Sequence, residues 1–306
     1  MKKRIMAMVM TIAMGTMMFA GCGTEGTSGS TDAASKAETS EATESKTVES
    51  EATDSEEAVV STEEAGPLLS KIKESGKLVV GTASGYPPYE FVDITSADQA
   101  VIGVDMELAQ AIADELGVEL EVQDMTFSAL LASIPAGTVD MAIAGVSPTD
   151  ERRETMDFSD SYLFADQVVI INKSDADKYK TFDDLKGATL AAEKSTTQES
   201  LVQELLPDNT LVSLDHVPEC ILELKNGKVD GVVVESIVGE QYILADDTLQ
   251  FADAKFDRQK EAAIVINKGN EDLLEILNKV IKENQDAGNF DAWVTKYSQI
   301  VVDNAQ

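Results

Sequence analysis

Residues 103–144 read GVDMELAQAIADELGVELEVQDMTFSALLASIPAGTVDMAIA, and this stretch alternates between helix and strand patterns. Apolar residues at helical spacing predict a helix over 104–116, which stops at Gly117, a usual C-terminal signal. The stretch continues with a predicted strand, a short helix and a buried strand, at 118–122, 127–136 and 139–144. Strands and helices that alternate over short links form right-handed βαβ units with parallel sheets. The stretch therefore predicts an α/β fold.

The same alternation occurs on both sides of this stretch. A short apolar strand over 77–81 precedes it, and the rhythm begins again after Val168. The second series comprises predicted strands at 189–192, 231–234 and 262–266, and predicted helices at 198–206, 218–226 and 271–285. A chain of 306 residues is long enough for two medium domains with a core each. We therefore expect two α/β lobes.

The N-terminus has the pattern of a signal peptide over residues 1–21. Basic residues 2–4 precede an apolar run over 5–20. That run falls short of the roughly 20 apolar residues that a membrane-spanning helix needs. Small residues stand directly before Cys22, which resembles the lipobox of bacterial lipoproteins, although the usual leucine is Phe19 here. We predict cleavage before Cys22 and lipidation of that cysteine.

The segment that follows, up to residue 66, has the composition of a disordered tether. Residues 24–65 contain twelve acidic and two basic residues among Ser, Thr, Ala and Gly. Such a segment cannot bury enough apolar surface to offset the entropy of ordering it. Together with Cys22 it predicts an anchor that lets the folded part stand off from a membrane.

Composition argues against several classes of function. The formal net charge is −32 with no basic patch, which argues against nucleic acid as a partner. His216 is the single histidine, and Cys220 is the single cysteine besides Cys22, so a His/Cys zinc site lacks ligands. No nucleophile-elbow motif accompanies His216. We expect no metal, no cofactor and no catalytic residue, and we expect Cys220 to be an inert buried thiol.

Ligands of open α/β sheets collect beyond the carboxyl ends of the strands. After the predicted strand 139–144 comes GVSPTDER, residues 145–152, in which Thr149 fits a helix N-cap. Free backbone N–H groups beside Arg152 suit a carboxylate, because the guanidinium can pair with both oxygens. The alternative is an ordinary cap beside a surface arginine.

Two further strand ends carry polar side chains. Thr196 and Glu199 match a capping box after the strand 189–192. Glu235 directly follows the strand 231–234, where its carboxylate could meet an ammonium group. Simple helix caps and a solvated carboxylate are the alternatives. An anion site and a cation site at neighbouring strand ends are what an α-amino acid requires.

Seven short strings of residues follow one another in a characteristic order along the folded part of the chain. They are VGT (80–82), YPPYEF (86–91), GVDMELA (103–109), GTVD (137–140), TDER (149–152), DFSD (157–160) and NGKVD (226–230). On these strings, the chain from about Lys77 to Asp303 resembles the polar amino-acid-binding proteins of ABC importers, solute-binding protein family 3. The resemblance implies an α/β, two-lobe periplasmic-binding-protein-like fold (type II) with two hinge-crossing strands.

Carried onto this chain, the resemblance implies lobe 1 at residues 67–171 plus 267–306 and lobe 2 at 172–266. The crossings are expected near 170–172 and 264–267. The implied ligand-binding residues are Arg152, Ser147 and Thr197 for the α-carboxylate, Glu235 and Gly145 for the α-ammonium group, and Tyr86, Phe127 and Gln198 beside the side chain.

Three departures from the family pattern affect these expectations. Glu235 stands where many members carry Asp, and Ala83 stands where an Asp often contacts the ligand side chain. Ala144 and Ser195 replace common Ser and Gly residues around the pocket. Glu90 and the rings of Tyr86 and Phe127 remain candidates, since aromatic faces can hold a cation.

The implied function is the extracytoplasmic substrate-binding component of an amino-acid ABC importer, taking a free polar or basic L-amino acid. The implied partners are permease and ATPase subunits, and we expect a monomer that is lipid-anchored at the cell membrane. The alternative on the same fold is an enzyme that resembles cyclohexadienyl or arogenate dehydratases, with Glu235 as the acid.

Overall fold

A computed structural model describes residues 66–304 of the chain. The predicted signal peptide, the predicted lipidation at Cys22 and the tether up to residue 65 lie outside the described residues. Within residues 66–304, no helix is both long enough and apolar enough to cross a membrane.

The helices are α1 (Pro67–Ser75), α2 (Val104–Leu116), α3 (Phe127–Ala136), α4 (Asp150–Arg153), α5 (Thr197–Leu205), α6 (Val217–Lys225), α7 (Ser236–Ala245), α8 (Glu271–Asp286) and α9 (Asn289–Asn304). The strands are β1 (Lys77–Thr82), β2 (Phe91–Val92), β3 (Val101–Ile102), β4 (Glu119–Asp124), β5 (Met141–Ala142), β6 (Met156–Asn172), β7 (Thr189–Glu193), β8 (Thr210–Leu214), β9 (Gly231–Glu235) and β10 (Leu249–Asn267).

One continuous sheet contains most of these strands, in the order β4-β1-β5-β10-β6-β9-β7-β8. The three strands at each end are parallel to one another, as the sequence predicts. The two long central strands, β6 and β10, run antiparallel to each other and to the neighbours β9 and β5. We call the part built on β4, β1 and β5 lobe 1, and the part built on β9, β7 and β8 lobe 2.

The long strands change partners along their length and so connect the lobes. In lobe 1, Val265 and Ile266 of β10 pair with β5. In lobe 2, residues 167–170 of β6 pair with β9. The segments 170–172 and 264–267, where we expected the crossings, therefore lie inside one lobe each, and that expectation is wrong. The polar run DRQKE (257–261) precedes the pairing of β10 with β5, and this change in apolar content was not used to place the crossing. The boundaries of the two domains stay a prediction.

Capping residues explain why several helices end where the sequence predicts. Gly117 and Gly137 follow α2 and α3 with φ of 70° and 67°, a left-handed conformation that costs glycine little. The side chain of Thr126 caps the start of α3 by accepting from the backbone N–H of Ala129. The helices α1, α7 and α9 were not predicted from the sequence, and neither was the full length of β6 and β10.

Apolar faces bury against the sheet in both lobes. Val104, Leu108 and Ile112 form the fully buried stripe of α2 in lobe 1. Cys220 is likewise fully buried on α6, and burial raises the pKa of its thiol to about 12. An uncharged thiol at neutral pH is unreactive, as the sequence analysis expected.

Candidate functional site

A small cavity lies between the lobes, beyond the carboxyl ends of β1, β5 and β7. Side chains and backbone from both lobes line it. Seven of the predicted ligand-binding residues are among its walls: Tyr86, Phe127, Gly145, Ser147, Arg152, Thr197 and Gln198. Ala83, Glu90, Ala144, Glu193, Thr196 and Lys260 complete the lining.

Arg152 extends from lobe 1 to lobe 2. Its Nη1 donates to the backbone oxygen of Ser147 at 2.7 Å, and its Nη2 donates to that of Ser195 at 2.8 Å. The guanidinium carbon stands 5.5 Å from the ring centre of Phe127. Burial lowers the pKa of Arg152 to about 10, so the group stays charged at neutral pH.

The predicted helix N-cap at Thr149 is present, since its hydroxyl accepts from the backbone N–H of Arg152 at 3.3 Å. The helix that it caps, α4, is a single turn of four residues. A macrodipole is the sum of aligned peptide units, so such a short helix contributes little. The positive charge on this side of the cavity therefore comes from the arginine side chain.

The N-terminus of α5 forms the facing wall in lobe 2. Thr196 caps this nine-residue helix by accepting from the backbone N–H of Glu199 at 3.2 Å. The carboxylate of Glu199 accepts from the N–H of Ser195 at 2.7 Å, one residue before the cap, so only the Thr196 half of the predicted capping box is formed. Gln198 is buried and donates from Nε2 to Oε1 of Gln167 at 3.0 Å. Gln167 lies on β6 and holds the amide of Gln198 in place.

Tyr86 and Lys260 meet at the opposite end of the cavity. The ammonium of Lys260 donates to the hydroxyl of Tyr86 at 2.9 Å and stands 4.4 Å from the centre of its ring. Gly145 lies against both, because a Cβ added there would stand 3.3 Å from Nζ of Lys260. With a φ of 54° as well, this position favours glycine.

A group of buried acids fixes the backbone of Gly145. The carboxylate of Asp105 accepts from its N–H at 3.0 Å and from the hydroxyl of Tyr162 at 2.9 Å. Glu90 lies beside Asp105, and burial together with the charge of Asp105 raises the pKa of Glu90 well above its usual range. Its Oε2 is buried with no hydrogen-bond partner among residues 66–304.

Glu235 is placed differently from the other predicted residues. Its carboxylate caps α7, accepting from the N–H of Val238 at 3.0 Å, and it also accepts from the hydroxyl of Tyr89 at 3.4 Å. Glu235 borders a smaller cavity behind the first, which Gly145 and Lys260 also line. Burial raises the pKa of Glu235 to about 7. The solvated carboxylate that the sequence left open is therefore excluded.

Glu193 and Lys260 line the cavity but were missed by the sequence analysis. Glu193 is the last residue of β7, and burial raises its pKa to about 8. A carboxylate at the carboxyl end of a strand was a readable signal, the same one that led to Glu235. Lys260 stands in a polar run within β10, where nothing in the sequence marks one lysine as buried.

Two known proteins are similar to this chain over most of its length. The chain is 33% identical to the arginine-binding extracellular protein ArtP of Bacillus subtilis over 231 residues, which cover 73% of this chain and 88% of that protein. It is 32% identical to the L-cystine-binding protein TcyJ of Escherichia coli over 231 residues, which cover 75% of this chain and 85% of that protein.

A solved structure has the same fold. It is the amino acid ABC transporter substrate-binding protein AbpA from Streptococcus pneumoniae, bound to L-arginine. The match has a TM-score of 0.74 at 35% identity, and it covers 76% of this chain and 99% of that one. The two-lobe periplasmic-binding-protein-like fold that the sequence resemblance implied is thereby confirmed.

The family assignment covers nearly all of the described chain. Residues 78–300 match the family described as bacterial extracellular solute-binding proteins, family 3. Most of both lobes, the two connecting strands and every residue that lines the cavity fall within that match. The chain therefore belongs to the bacterial extracellular solute-binding proteins, family 3.

Proposed function

We propose that the cavity between the lobes holds a free L-amino acid with a polar or basic side chain. The chain is an amino-acid-binding component of an ABC importer, and closure of its lobes would prepare the ligand for transport. One observation carries the proposed site. The guanidinium of Arg152 lies in a cavity that both lobes line, within hydrogen-bond distance of a backbone oxygen in each lobe.

The α-carboxylate of the ligand is assigned to Arg152. A guanidinium pairs with both oxygens of a carboxylate through two parallel N–H bonds. The backbone of Ser147 from lobe 1 and the hydroxyl of Thr197 at the start of α5 in lobe 2 also line the cavity and can supply further donors. Binding therefore exchanges bonds from Arg152 to carbonyl oxygens for stronger bonds to an anion.

The α-ammonium group is assigned to the acidic side of the site. The carbonyl of Gly145 and the carboxylate of Glu235 are the acceptors that the sequence suggested. Glu193 adds a third, because it lines the cavity and its carboxylate accepts no hydrogen bond from residues 66–304. Charge-assisted hydrogen bonds contribute roughly 1.5–3 kcal/mol each. Three of them with aromatic contact are enough for micromolar binding, about −8 kcal/mol.

The first experiment is a ligand screen on the purified protein. The protein is unfolded, dialysed and refolded to remove any ligand carried through purification, and its thermal midpoint is measured with each common L-amino acid and with L-cystine. A ligand at 100 times its dissociation constant adds about 2.7 kcal/mol of stability. We expect an increase of several degrees with one or a few amino acids. If none increases the midpoint, the proposal is wrong.

We further propose that the protein binds its ligand without catalysis. Glu235, the acid that a dehydratase would need, already accepts two hydrogen bonds within the protein. Incubation with prephenate or arogenate should yield no aromatic product, whereas product formation would establish the enzyme instead.

The membrane attachment is proposed from the sequence alone. We propose that Cys22 carries a lipid, that the mature monomer faces the extracytoplasmic side of the cell membrane, and that it delivers its ligand to permease and ATPase subunits. Replacing Cys22 by Ala should release the protein from the membrane fraction; retention there would contradict the anchor.

A further inference from the structure

Lys260 places an ammonium group inside the proposed site, at the strands that connect the lobes. It lies on β10 opposite Ala165 of β6. Its side chain lines the cavity between the lobes and also the smaller cavity that Glu235 borders. An ammonium has three N–H donors, and the hydroxyl of Tyr86 is its one hydrogen-bond partner among residues 66–304. Two donors are therefore available to a ligand.

Three acids lie around Lys260, and none of them forms a salt bridge with its ammonium in the described part of the chain. Burial and the neighbouring Asp105 raise the pKa of Glu90 well above its usual range, and its Oε2 has no hydrogen-bond partner among residues 66–304. Both oxygens of Glu235 accept hydrogen bonds, from the backbone of α7 and from Tyr89. Burial lowers the pKa of Lys260, and the neighbouring acids Glu235, Glu90 and Glu193 oppose that shift. No residue of the described chain bonds the carboxyl group of Glu193, whose own pKa burial raises to about 8. The ammonium of Lys260 is thus attracted by the cluster without being bound into an ion pair.

The two aromatic faces of the cavity are also occupied by cations of the protein itself. The guanidinium of Arg152 lies over Phe127 at 5.5 Å, and the ammonium of Lys260 lies over Tyr86 at 4.4 Å. A cationic ligand side chain would seek these same ring faces. To reach the face of Tyr86 it would have to displace Lys260 and then remain beside a like charge.

We infer that Lys260 determines specificity, because its ammonium donates to the ligand side chain and selects an oxygen acceptor, such as an amide or a carboxylate, over a cation. This inference rests on the proposed function, and it narrows the ligand class from polar or basic to polar. A cationic ligand side chain would be repelled by the ammonium of Lys260 in a site that excludes water. A ligand oxygen would be stabilised there by accepting a hydrogen bond from that ammonium.

The test is the ratio of affinities for two kinds of ligand. Titration calorimetry on the ligand-free protein would compare L-glutamine, L-glutamate and L-cystine with L-arginine and L-lysine. We expect the wild-type protein to bind an acceptor-bearing ligand at least about tenfold more tightly than either basic one. Lys260→Met keeps the length of the side chain and removes its charge. We expect it to weaken binding of that ligand about tenfold and to strengthen binding of L-arginine.

Controls separate this role from a structural one. Lys255→Met removes an exposed lysine from the same strand and should leave the ratio unchanged. Lys260→Arg keeps a charged donor and should retain the preference for an acceptor. If Lys260→Met fails to fold, the affinity ratio is measured for Lys260→Gln instead, and the ratio of the wild-type protein by itself still tests the inference.

Each negative outcome has its own meaning. Equal or tighter binding of L-arginine by the wild-type protein would overturn the role of Lys260 while leaving the proposed function intact. So would an unchanged ratio in a folded Lys260→Met protein. Absence of binding by any amino acid would overturn both.

Discussion

In lobe 1 the turn after α3 reads GTVD and ends at Asp140, and in lobe 2 the turn after α6 reads GKVD and ends at Asp230. Each aspartate accepts from the first-strand backbone of its own lobe at 2.8 Å, Asp140 from the N–H of Val79 and Asp230 from that of Thr189. Each also pairs with a lysine. The same device therefore aligns neighbouring parallel strands in both lobes.

The ionisable side chains near the cavity differ between the two lobes: lobe 1 contributes a basic one and lobe 2 contributes acidic ones. The short helix α4, which follows β5 in lobe 1, supplies Arg152, whereas β7 and β9 in lobe 2 end at Glu193 and Glu235. The parallel strands, aligned in the same way in both lobes, determine where ligand groups can bind. The residues at the ends of those strands determine the charge at each position. In the proposed complex, a zwitterion would meet Arg152 from lobe 1 and acidic side chains from lobe 2.

The largest expected effect comes from removing the charge of lobe 1. Arg152→Ala should weaken binding of the amino acid more than about a hundredfold, since truncating one partner of a buried charge pair costs about 2–5 kcal/mol. Titration calorimetry measures the affinity and circular dichroism the fold. Arg153→Ala is the matched control, because this neighbour is exposed and lies over Phe158 instead. A folded Arg152→Ala protein with wild-type affinity would refute the site.

The second prediction tests whether the repeated aspartate is equally important in both lobes. The Asp140 side chain is 2% exposed and that of Asp230 is 34% exposed. Asp140→Ala leaves the N–H of Val79 without its acceptor at a position that water reaches poorly. It should therefore lower the free energy of unfolding by about 2–3 kcal/mol. Asp230→Ala should cost only about 1 kcal/mol. Urea unfolding measures both, and equal losses would contradict the effect of burial.

The third prediction concerns the acid that lobe 2 adds to the cavity. Folding raises the pKa of Glu193 to about 8 from a usual value near 4.5, so the folded state favours the protonated form. The stability linked to this group is therefore present below about pH 4.5 and is lost as the pH rises through 8. Glu193→Gln should be more stable than the wild-type protein at pH 9, on the order of 1–2 kcal/mol.

The matching measurement is thermal unfolding of both proteins at pH 4.5 and at pH 9. The difference in stability between the two proteins should vanish at the lower pH, where the side chain at position 193 is neutral in both folded proteins. Glu240→Gln, an exposed position on α7, should show no such difference. A Glu193→Gln protein whose advantage is the same at both pH values would contradict the linkage.

The smallest expected effect concerns a contact between the lobes. The hydroxyl of Tyr242 on α7 donates to the backbone oxygen of Gly85 in lobe 1 at 2.7 Å. Tyr242→Phe should weaken ligand binding about fivefold, because one hydrogen bond of about 1 kcal/mol no longer favours the closed form. Tyr297→Phe is the control, since its hydroxyl bonds Glu107 within lobe 1 at 2.7 Å. An equal loss of affinity in both variants would show that closure is not involved.

Local signals explain what was predicted correctly. The helices α2 and α3 have the predicted bounds, because apolar spacing and a following glycine act within a few residues of each other. Arg152 was found for a similar reason, since a strand, a cap and a charged side chain stand in one short string. The long strands β6 and β10 were not predicted in full, because exposed polar residues such as Lys255 and Gln259 interrupt their pattern.

The candidate site was predicted less completely than the fold. Seven of eight proposed residues line one cavity, while Glu235 caps α7 and borders the cavity behind it. The sequence could not reveal this difference, because the same strand-end position can direct a carboxylate to a ligand or to a helix N-terminus. Glu193 also lies at the carboxyl end of a strand, as Glu235 does, but it was not selected as a site residue.

By itself, the sequence determined the alternation of strands and helices, the caps that end them and the arginine that follows β5. Each of these depends on residues close together in the chain. Only the tertiary structure decided which charges converge. Lys260 meets Tyr86 across 174 residues, at a position set by strands that connect the lobes. Burial and convergence are properties of the assembled lobes, and for that reason no local pattern could predict that this lysine stands inside the site.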